Sequence, residues 1–593
     1  MGVQSMGYRG DIQIFRALAV ILVVLFHLGV PGFSSGFLGV DIFFVISGYL
    51  MTKLHAKDDG AFDFYKRRAR RLLPAYAATV AVTLGTAFFI TVPSDFVQVG
   101  EQTFFAAALA ANFGFALQNS YFSSFEFNPL LHLWSLAVEC QFYLLFPFII
   151  KVAVRWRFAL AAIAFASLVL CLAFVLISPK YAFFMLPMRM WEFAIGMWVA
   201  LRPSRTSRAG RWGAMALVAM AVIPLLPLNG NLRDLVFGHP ALGAVMVCLA
   251  TGAALMIGQP ATLVNSAPGR VAQRLGNISY SLYLAHWPVL VLFHYQPFGG
   301  TTPHALNIID AASVIAVTAV ATALLYLVFE RPGPRLFSAR RAVLAAAVLS
   351  LAAAILMPLQ LRQFDAIDGV TFAAMKDRSY NRCGKAFRIL HPQQQLCETG
   401  AGPRGNILLI GDSFSDSIKE AFASTAKSHG FGSYFAVDNQ PLITRGLDAT
   451  WLAGEIRDLR PKAVYLHYTA EHLADGVLEA AKEAAAPSHI PVIVILPPPT
   501  YVQNVPQSIY LSRHGGPAMA ATTLAKYHSA TKDLAARSAA LGFHLIDVAP
   551  AFCDPVCAVK DSAGRPLYFD RAHLTLVGAE WMAPWLGASI AKL

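Results

Sequence analysis

The sequence predicts two folds in one chain: a polytopic α-helical membrane bundle of about 11 transmembrane helices, then an extracytoplasmic three-layer α/β domain. Three observations carry this expectation. Apolar runs of membrane-spanning length recur from residue 14 to residue 360 and then stop. Basic residues fall in every second connection between those runs. Beyond residue 404, short β-like runs alternate with amphipathic stretches, with Gly411-Asp412-Ser413 near the start and Asp570-Arg571-Ala572-His573 near the end. The expected boundaries are 1–335 for about ten spans, 336–404 for one more span and a linker, and 405–593 for the α/β domain.

Of the 593 residues, 56% are hydrophobic and only 14% charged, a composition too apolar for a wholly soluble chain of this length. The spans are expected at 14–31, 37–54, 75–93, 130–152, 157–177, 181–201, 211–228, 238–257, 277–296, 306–329 and 341–360. The first run is long enough to span, and no small-residue cleavage site follows it, so it reads as a membrane helix and not as a cleaved signal. Lys66, Arg67, Arg68, Arg70 and Arg71 follow the second span; Lys151, Arg155 and Arg157 the fourth; Arg202, Arg205, Arg208 and Arg211 the sixth. Arg270 and Arg274 follow the eighth, and Arg331, Arg335, Arg340 and Arg341 the tenth. Positive loops stay on the cytoplasmic side, which puts the N-terminus in the cytoplasm and, after an odd number of spans, the C-terminal domain outside. The net charge of +13 is then a signature of topology, with the lipid bilayer and no nucleic acid as the partner it implies.

Cysteine placement bears on the same assignment. Cys140, Cys171 and Cys248 lie in predicted spans, where a thiol is an apolar filler. Cys383, Cys397, Cys553 and Cys557 form an even set in the exported part, as expected of disulfides in an oxidising compartment, with nearest-neighbour pairing. A zinc site is the alternative; neither pair has the C-x-x-C spacing, and no metal is expected.

Ionisable side chains inside a membrane are costly and mark functional paths. Arg16 and His27 share the first span, and eleven residues return a helix to within about 20° of the same face, roughly 16 Å along its axis. Two readings compete: a shared polar groove, or an interfacial arginine and a satisfied core histidine.

In the C-terminal part, Asn406–Ile410 ends at Gly411-Asp412-Ser413, and 416–427 is helical in pattern. Apolar runs at 463–466, 492–496 and 544–548 alternate with amphipathic stretches at 473–484 and 525–541, the order of a mainly parallel sheet covered by helices. Sites in such sheets form at the carboxyl ends of strands, where Ser413 falls.

Residues 11–76 resemble the acyltransferase-3 family of membrane acyltransferases, through Arg16-x10-His27, the run Gly39-Val40-Asp41 to Ser47-Gly48-Tyr49, and Phe64-Tyr65-Lys66-Arg67-Arg68-Ala69-Arg70-Arg71 with Pro74. Further pieces follow in family order: Leu131-His132-Leu133-Trp134-Ser135 through Glu139 to Tyr143, Arg189-Met190-Trp191-Glu192, Ile278 to Pro288 with His286, and Glu330-Arg331-Pro332. The resemblance implies transfer of an acyl group, commonly acetyl, from cytoplasmic acyl-CoA across the bacterial inner membrane to a hydroxyl of a cell-surface glycan. His27 is then a general base or transient acyl carrier, because imidazole titrates near neutrality. Arg16 holds the donor or a developing negative charge, and Glu139 partners His27 or an arginine. Arg68 and Arg71 form an R-x-x-R pattern suited to the phosphates of coenzyme A, although the same run also reads as ordinary positive-inside charge. Asp41, Arg189, Glu192, His286 and Glu330 either line the pocket or form structural ion pairs.

The Gly411-Asp412-Ser413 and Asp570-x-x-His573 pieces resemble the SGNH hydrolase superfamily, as found in domains fused to acyltransferase-3 bundles. The resemblance makes Ser413 the nucleophile, His573 its base and Asp570 the orienter. The chain departs from the pattern in the middle loops that complete an oxyanion hole. The loop after the second strand offers Asp438 and Asn439, with Asn439 a pocket candidate, and the loop after the third reads His467-Tyr468-Thr469. Ser413 N–H supplies one donor and the second stays open. The combined expectation is an O-acyltransferase, in particular an O-acetyltransferase using acetyl-CoA, that acts on O-antigen, exopolysaccharide or peptidoglycan through a Ser413 acyl-enzyme. The alternative is a periplasmic SGNH carbohydrate esterase, or a glycan-binding module, behind a bundle that transports acyl groups or glycan.

Overall fold

The structure, a computed structural model, describes residues 9–55, 60–117, 127–156, 158–202, 211–227, 239–301, 307–332, 338–374, 376–378, 396–437 and 447–593. Its internal contacts divide it after Gln360 into two compact units.

In the first unit a helix stands at the place of every expected span, but not all have spanning length. Among the described residues seven helices are long and apolar enough to cross a membrane: Gly10–His27, Gly36–Leu54, Ala61–Ile90, Leu133–Arg155, Ala159–Leu176, Ile308–Glu330 and Arg340–Leu361. Arg211–Leu225, Leu242–Ile257 and Ser279–Phe293 are shorter apolar helices. The run expected at 181–201 is split at Met185 into Pro179–Phe184 and Leu186–Ala200. Pro187 explains the split, since it has no N–H to bond the carbonyl four residues back and its ring clashes with that carbonyl. A count of apolar residues does not register such a break. The third helix begins at Ala61, so the basic run Lys66–Arg71 lies on the helix itself and not in a connection.

Close helix packing sets the centre of this unit. Gly48 on Gly36–Leu54 faces the backbone of Phe193, and Gly196 on Leu186–Ala200 faces the backbone of Val45; a methyl at either glycine would overlap the opposing carbonyl. Small residues that let two backbones touch are how membrane helices gain dispersion contacts where lipid removes the hydrophobic drive. The contact brings Asp41, on the first of these helices, alongside Arg189 and Glu192 on the second.

The second unit is built on a six-stranded sheet, Cys397–Gly400 (β1), Asn406–Gly411 (β2), Gly432–Val437 (β3), Val464–His467 (β4), Val492–Ile495 (β5) and His544–Ile546 (β6). The spatial order is β1-β3-β2-β4-β5-β6, with β1 antiparallel to β3 and the remaining pairings parallel. The period of two along each strand feeds two cores. Ile407, Leu409, Tyr465, Ile493 and Ile495 face one layer with Ile418, Phe422, Leu586 and Ile590. Leu408, Ile410, Val464, Leu466, Val492 and Val494 face the other with Leu452, Ile456, Leu478 and Ala481. Near-continuous apolar strands covered on both faces by helices are the mark of a buried parallel sheet. The segment read as linker contributes structure of its own, helix Ala366–Ala373 and the edge strand β1. Cys553 and Cys557 are disulfide-bonded, and Cys397 is also bonded. Cys383 lies outside the described residues.

Candidate active sites

Two cavities adjoin inside the bundle, with Val40 and Tyr283 on the walls of both. The larger, about 780 Å³ counted to its open mouth, is lined by Arg16, Arg68, Arg71, Ser47, Glu139 and Tyr143. Helix geometry explains the selection within the basic run: Arg68 and Arg71, three residues apart, share a face. Arg68 Nε is buried with no hydrogen-bond partner among the described residues. Glu139 accepts hydrogen bonds from the hydroxyls of Ser47 and Tyr143. Three guanidinium groups converging on one cavity form an anion site suited to phosphates.

The smaller cavity, about 400 Å³ by the same measure, is lined by His27, His132, His239, Trp134, Tyr283 and Trp287 among others. His27 Nδ1 lies 3.0 Å from His286 Nε2, and His286 Nδ1 lies 2.8 Å from the carbonyl of Tyr283. A carbonyl only accepts, so His286 carries its proton on Nδ1 and its Nε2 accepts from His27 Nδ1–H. His27 is left with a lone pair on Nε2, the arrangement a base or nucleophile needs. The ring of Trp287 packs at 4.4 Å from that of His27. On the wall between the cavities, Tyr283 Oη lies 2.6 Å from Ser135 Oγ and donates to the His132 carbonyl at 3.0 Å.

The remaining bundle candidates separate by role. His286 is the partner of His27, and Glu139 is not: it lies on the arginine-lined cavity with Arg16, Arg68 and Arg71. Apolar sequence around Glu139 gave no means of choosing between those partners. Asp41, Arg189 and Glu192 form a dry ionic cluster, with Arg189 Nη2 3.1 Å from Asp41 Oδ1 and Nε 3.1 Å from Glu192 Oε1, all three side chains at 0% exposure. Glu330 accepts a hydrogen bond from Ser281 at 2.6 Å and lines neither cavity. Sequence alone does not single out His132 or His239 as site residues. His132 sits in a recognisable motif, whereas His239 stands in a stretch whose pattern carries no signal.

In the second unit, strand β2 ends in a tight turn into helix Ser413–Ser428. Gly411 packs against the His467 carbonyl and Ser415 Oγ with no room for a side chain. Asp412 caps the helix, accepting from Phe414 N–H at 2.9 Å, and its second oxygen accepts from Thr469 N–H at 2.8 Å and pairs with His472 Nδ1 at 2.7 Å. Ser413 is thereby held at the first helical position, where its N–H has no intrahelical partner and the helix dipole favours negative charge. Ser413 Oγ lies 2.7 Å from His573 Nε2, and His573 Nδ1 lies 2.6 Å from Asp570 Oδ2. Asp570 Oδ1 accepts from the N–H groups of Ala572 and His573 at 2.8 and 2.7 Å. Burial pushes the Asp570 carboxyl up, but its bonds from His573 and Ala572 outweigh this and hold it below the usual carboxylate range. The three residues thus have the geometry of a nucleophile, its base and an orienting carboxylate. Thr469 N–H is committed to Asp412 and so does not serve as the second oxyanion donor. Asn439 lies outside the described residues.

Comparison with known proteins agrees with both halves. Residues 9–330 match the acyltransferase domain family, and residues 382–587 match the SGNH domain that is fused to such domains. A membrane-bound transacylase, BcsY, of Komagataeibacter xylinus is 32% identical over 333 residues, spanning 55% of this chain and 83% of that protein. The O-acetyltransferase OatA of Staphylococcus aureus is 42% identical over 150 residues, 24% of this chain and 25% of its own length. The solved periplasmic domain of a lipopolysaccharide acetyltransferase from Salmonella ser. Paratyphi A is 16% identical, with a TM-score of 0.28, covering 39% of this chain and 98% of that one. With the family matched across most of the helical unit and its fused domain matched behind it, the chain belongs to the acyltransferase-3 family of membrane acyltransferases, in the branch that carries a C-terminal SGNH domain.

Proposed function

We propose that the protein is a bacterial inner-membrane O-acetyltransferase that takes acetyl from cytoplasmic acetyl-CoA and delivers it to a hydroxyl of a cell-surface glycan on the periplasmic side. The observation that carries this reading is the adjacency of the two bundle cavities, one lined by Arg16, Arg68 and Arg71 and the next by His27. The arginines hold the phosphates of the donor, and His27 Nε2 deprotonates the hydroxyl of a first acceptor or takes the acyl group itself. Ser413, activated by His573 and Asp570, then attacks the ester or acyl-imidazole so formed, its alcohol or imidazole leaves, and the acyl-enzyme passes the acetyl to the glycan. The named relatives, a transacylase and an O-acetyltransferase, support the reaction class.

The test is the alkali-labile ester on purified envelope glycans from strains carrying wild type, His27→Ala or Ser413→Ala at matched expression. Ester is expected to be lost in both variants. Wild-type ester in both overturns the transferase reading, and a rise confined to Ser413→Ala identifies an esterase instead.

A further inference from the structure

Resting on the transferase reading, we propose that His239 is a second catalytic residue of the bundle, whose Nδ1–H stabilises the oxyanion formed when acyl transfer occurs at His27. His239 and His27 line the same cavity. His239 Nε2 lies 3.3 Å from Arg189 Nη1. A guanidinium has donors only, so Nε2 accepts, and the one proton of the neutral ring is on Nδ1. Among the described residues no hydrogen bond uses that Nδ1.

The surroundings hold this tautomer in place. Arg189 is fixed by Asp41 and Glu192, with no side-chain exposure at any of the three. The His239 ring is clamped edge-on by Phe37 and Phe183, at centroid distances of 4.7 and 5.5 Å. The cluster Asp41, Arg189 and Glu192 thus acts on the chemistry through His239, a function that its burial away from the cavity does not by itself suggest. Two histidines on one cavity then carry complementary groups: a lone pair on His27 Nε2 and a donor on His239 Nδ1. That is the pair of groups acyl transfer requires, a base for the attacking hydroxyl and a preorganised donor for the carbonyl oxygen.

The step balances as follows. His27 Nε2 takes the proton of the acceptor hydroxyl as its oxygen bonds to the thioester carbonyl carbon. The carbonyl electron pair moves to oxygen, and His239 Nδ1–H hydrogen-bonds to it. The carbonyl re-forms as the C–S bond breaks, and the leaving thiolate takes the proton from His27, giving an ester and a free thiol.

The experiment follows thiol release from acetyl-CoA by the purified full-length chain, supplied with the host's envelope glycan. His239→Ala is expected to lower kcat by about 10²–10³-fold while KM for acetyl-CoA stays within about threefold. His239→Asn, whose amide N–H stands where Nδ1–H stood, is expected to recover to within about tenfold of wild type, and His239→Phe, which keeps the ring but not the donor, to match Ala. Activity of the Ala variant within about threefold of wild type overturns the proposal, as does a Phe variant as active as the Asn variant. Should the Ala variant fail to accumulate, the Asn and Phe variants decide the question. A wild-type chain that releases no thiol overturns the transferase reading and this proposal with it.

Discussion

At the scale of residues, the chemistry of both units turns on which nitrogen of a histidine holds the proton. His573 is oriented by a carboxylate, Asp570, whereas His27 is oriented by a neutral imidazole, His286, itself fixed by the Tyr283 carbonyl. A carboxylate also stabilises the imidazolium that forms during attack; an imidazole does so less well. His573 thus has a partner that stabilises its charged form, and His27 has one that does so less well. Asp570→Asn keeps the shape of the triad but presents an amide to His573 Nδ1. Hydrolysis of an aryl acetate is expected to fall by about 10³–10⁴ in kcat, with KM little changed. The triad was legible in sequence because its pieces are local motifs: Asp570 and His573 are three residues apart, and Ser413 sits in a strand-to-helix turn. His239 was not, because its partner Arg189 lies fifty residues away and its role exists only once two helices and a connection have met.

At the scale of elements, strand β4 shows how a sheet constrains a titratable group. His467 is the last residue of β4, fully buried, and donates Nδ1–H to the Ile495 carbonyl on β5 at 3.0 Å. Burial pushes its imidazole down to about 4, against the opposing pull of the Ile495 carbonyl and the Asp412 carboxylate. The folded state therefore keeps His467 neutral while the unfolded chain takes up a proton near pH 6.5. Between pH 6.5 and about 4 the unfolded state binds more protons, so stability is lost as pH falls through that window, by up to about 1.4 kcal/mol per pH unit. Thermal unfolding of residues 361–593, prepared as a separate protein, is expected to show the slope across this range, and His467→Asn, which keeps a donor for Ile495 but does not titrate, is expected to flatten it. Period-two patterning made the strands themselves readable. The helix break at Pro187 and the inclusion of Lys66–Arg71 in a helix were not, because hydropathy measures apolar length and not backbone continuity.

At the scale of the whole molecule, the second unit begins at Leu361 and not where its α/β pattern begins. Arg513 pairs with Asp365 and Asp368, and His514 Nε2 lies 2.8 Å from Asp368, which fastens helix Ala366–Ala373 to this unit. The Asp377 carbonyl accepts from Leu576 N–H at 3.0 Å, just beyond the loop that carries Asp570 and His573. The guanidinium of Arg378 lies over Phe569, whose ring stacks on His573. Released residues 361–593 are accordingly expected to fold and hydrolyse an aryl acetate, and a chain cut to 405–593, lacking β1 and this strap, to lose stability and most of that activity; circular dichroism and ester turnover on the two proteins check it. By itself the sequence determined the class of each half, the charge asymmetry of the bundle and the Ser413, His573 and Asp570 set, since hydropathy, periodicity and short motifs are local properties. Only the tertiary structure decided that His27 pairs with His286 and not Glu139, that Arg68 and Arg71 share a cavity with Arg16, and that Arg189 fixes His239. Those outcomes depend on which helix faces pack together, and the choice is made by close contacts such as Gly48 and Gly196, whose partners lie far away along the chain.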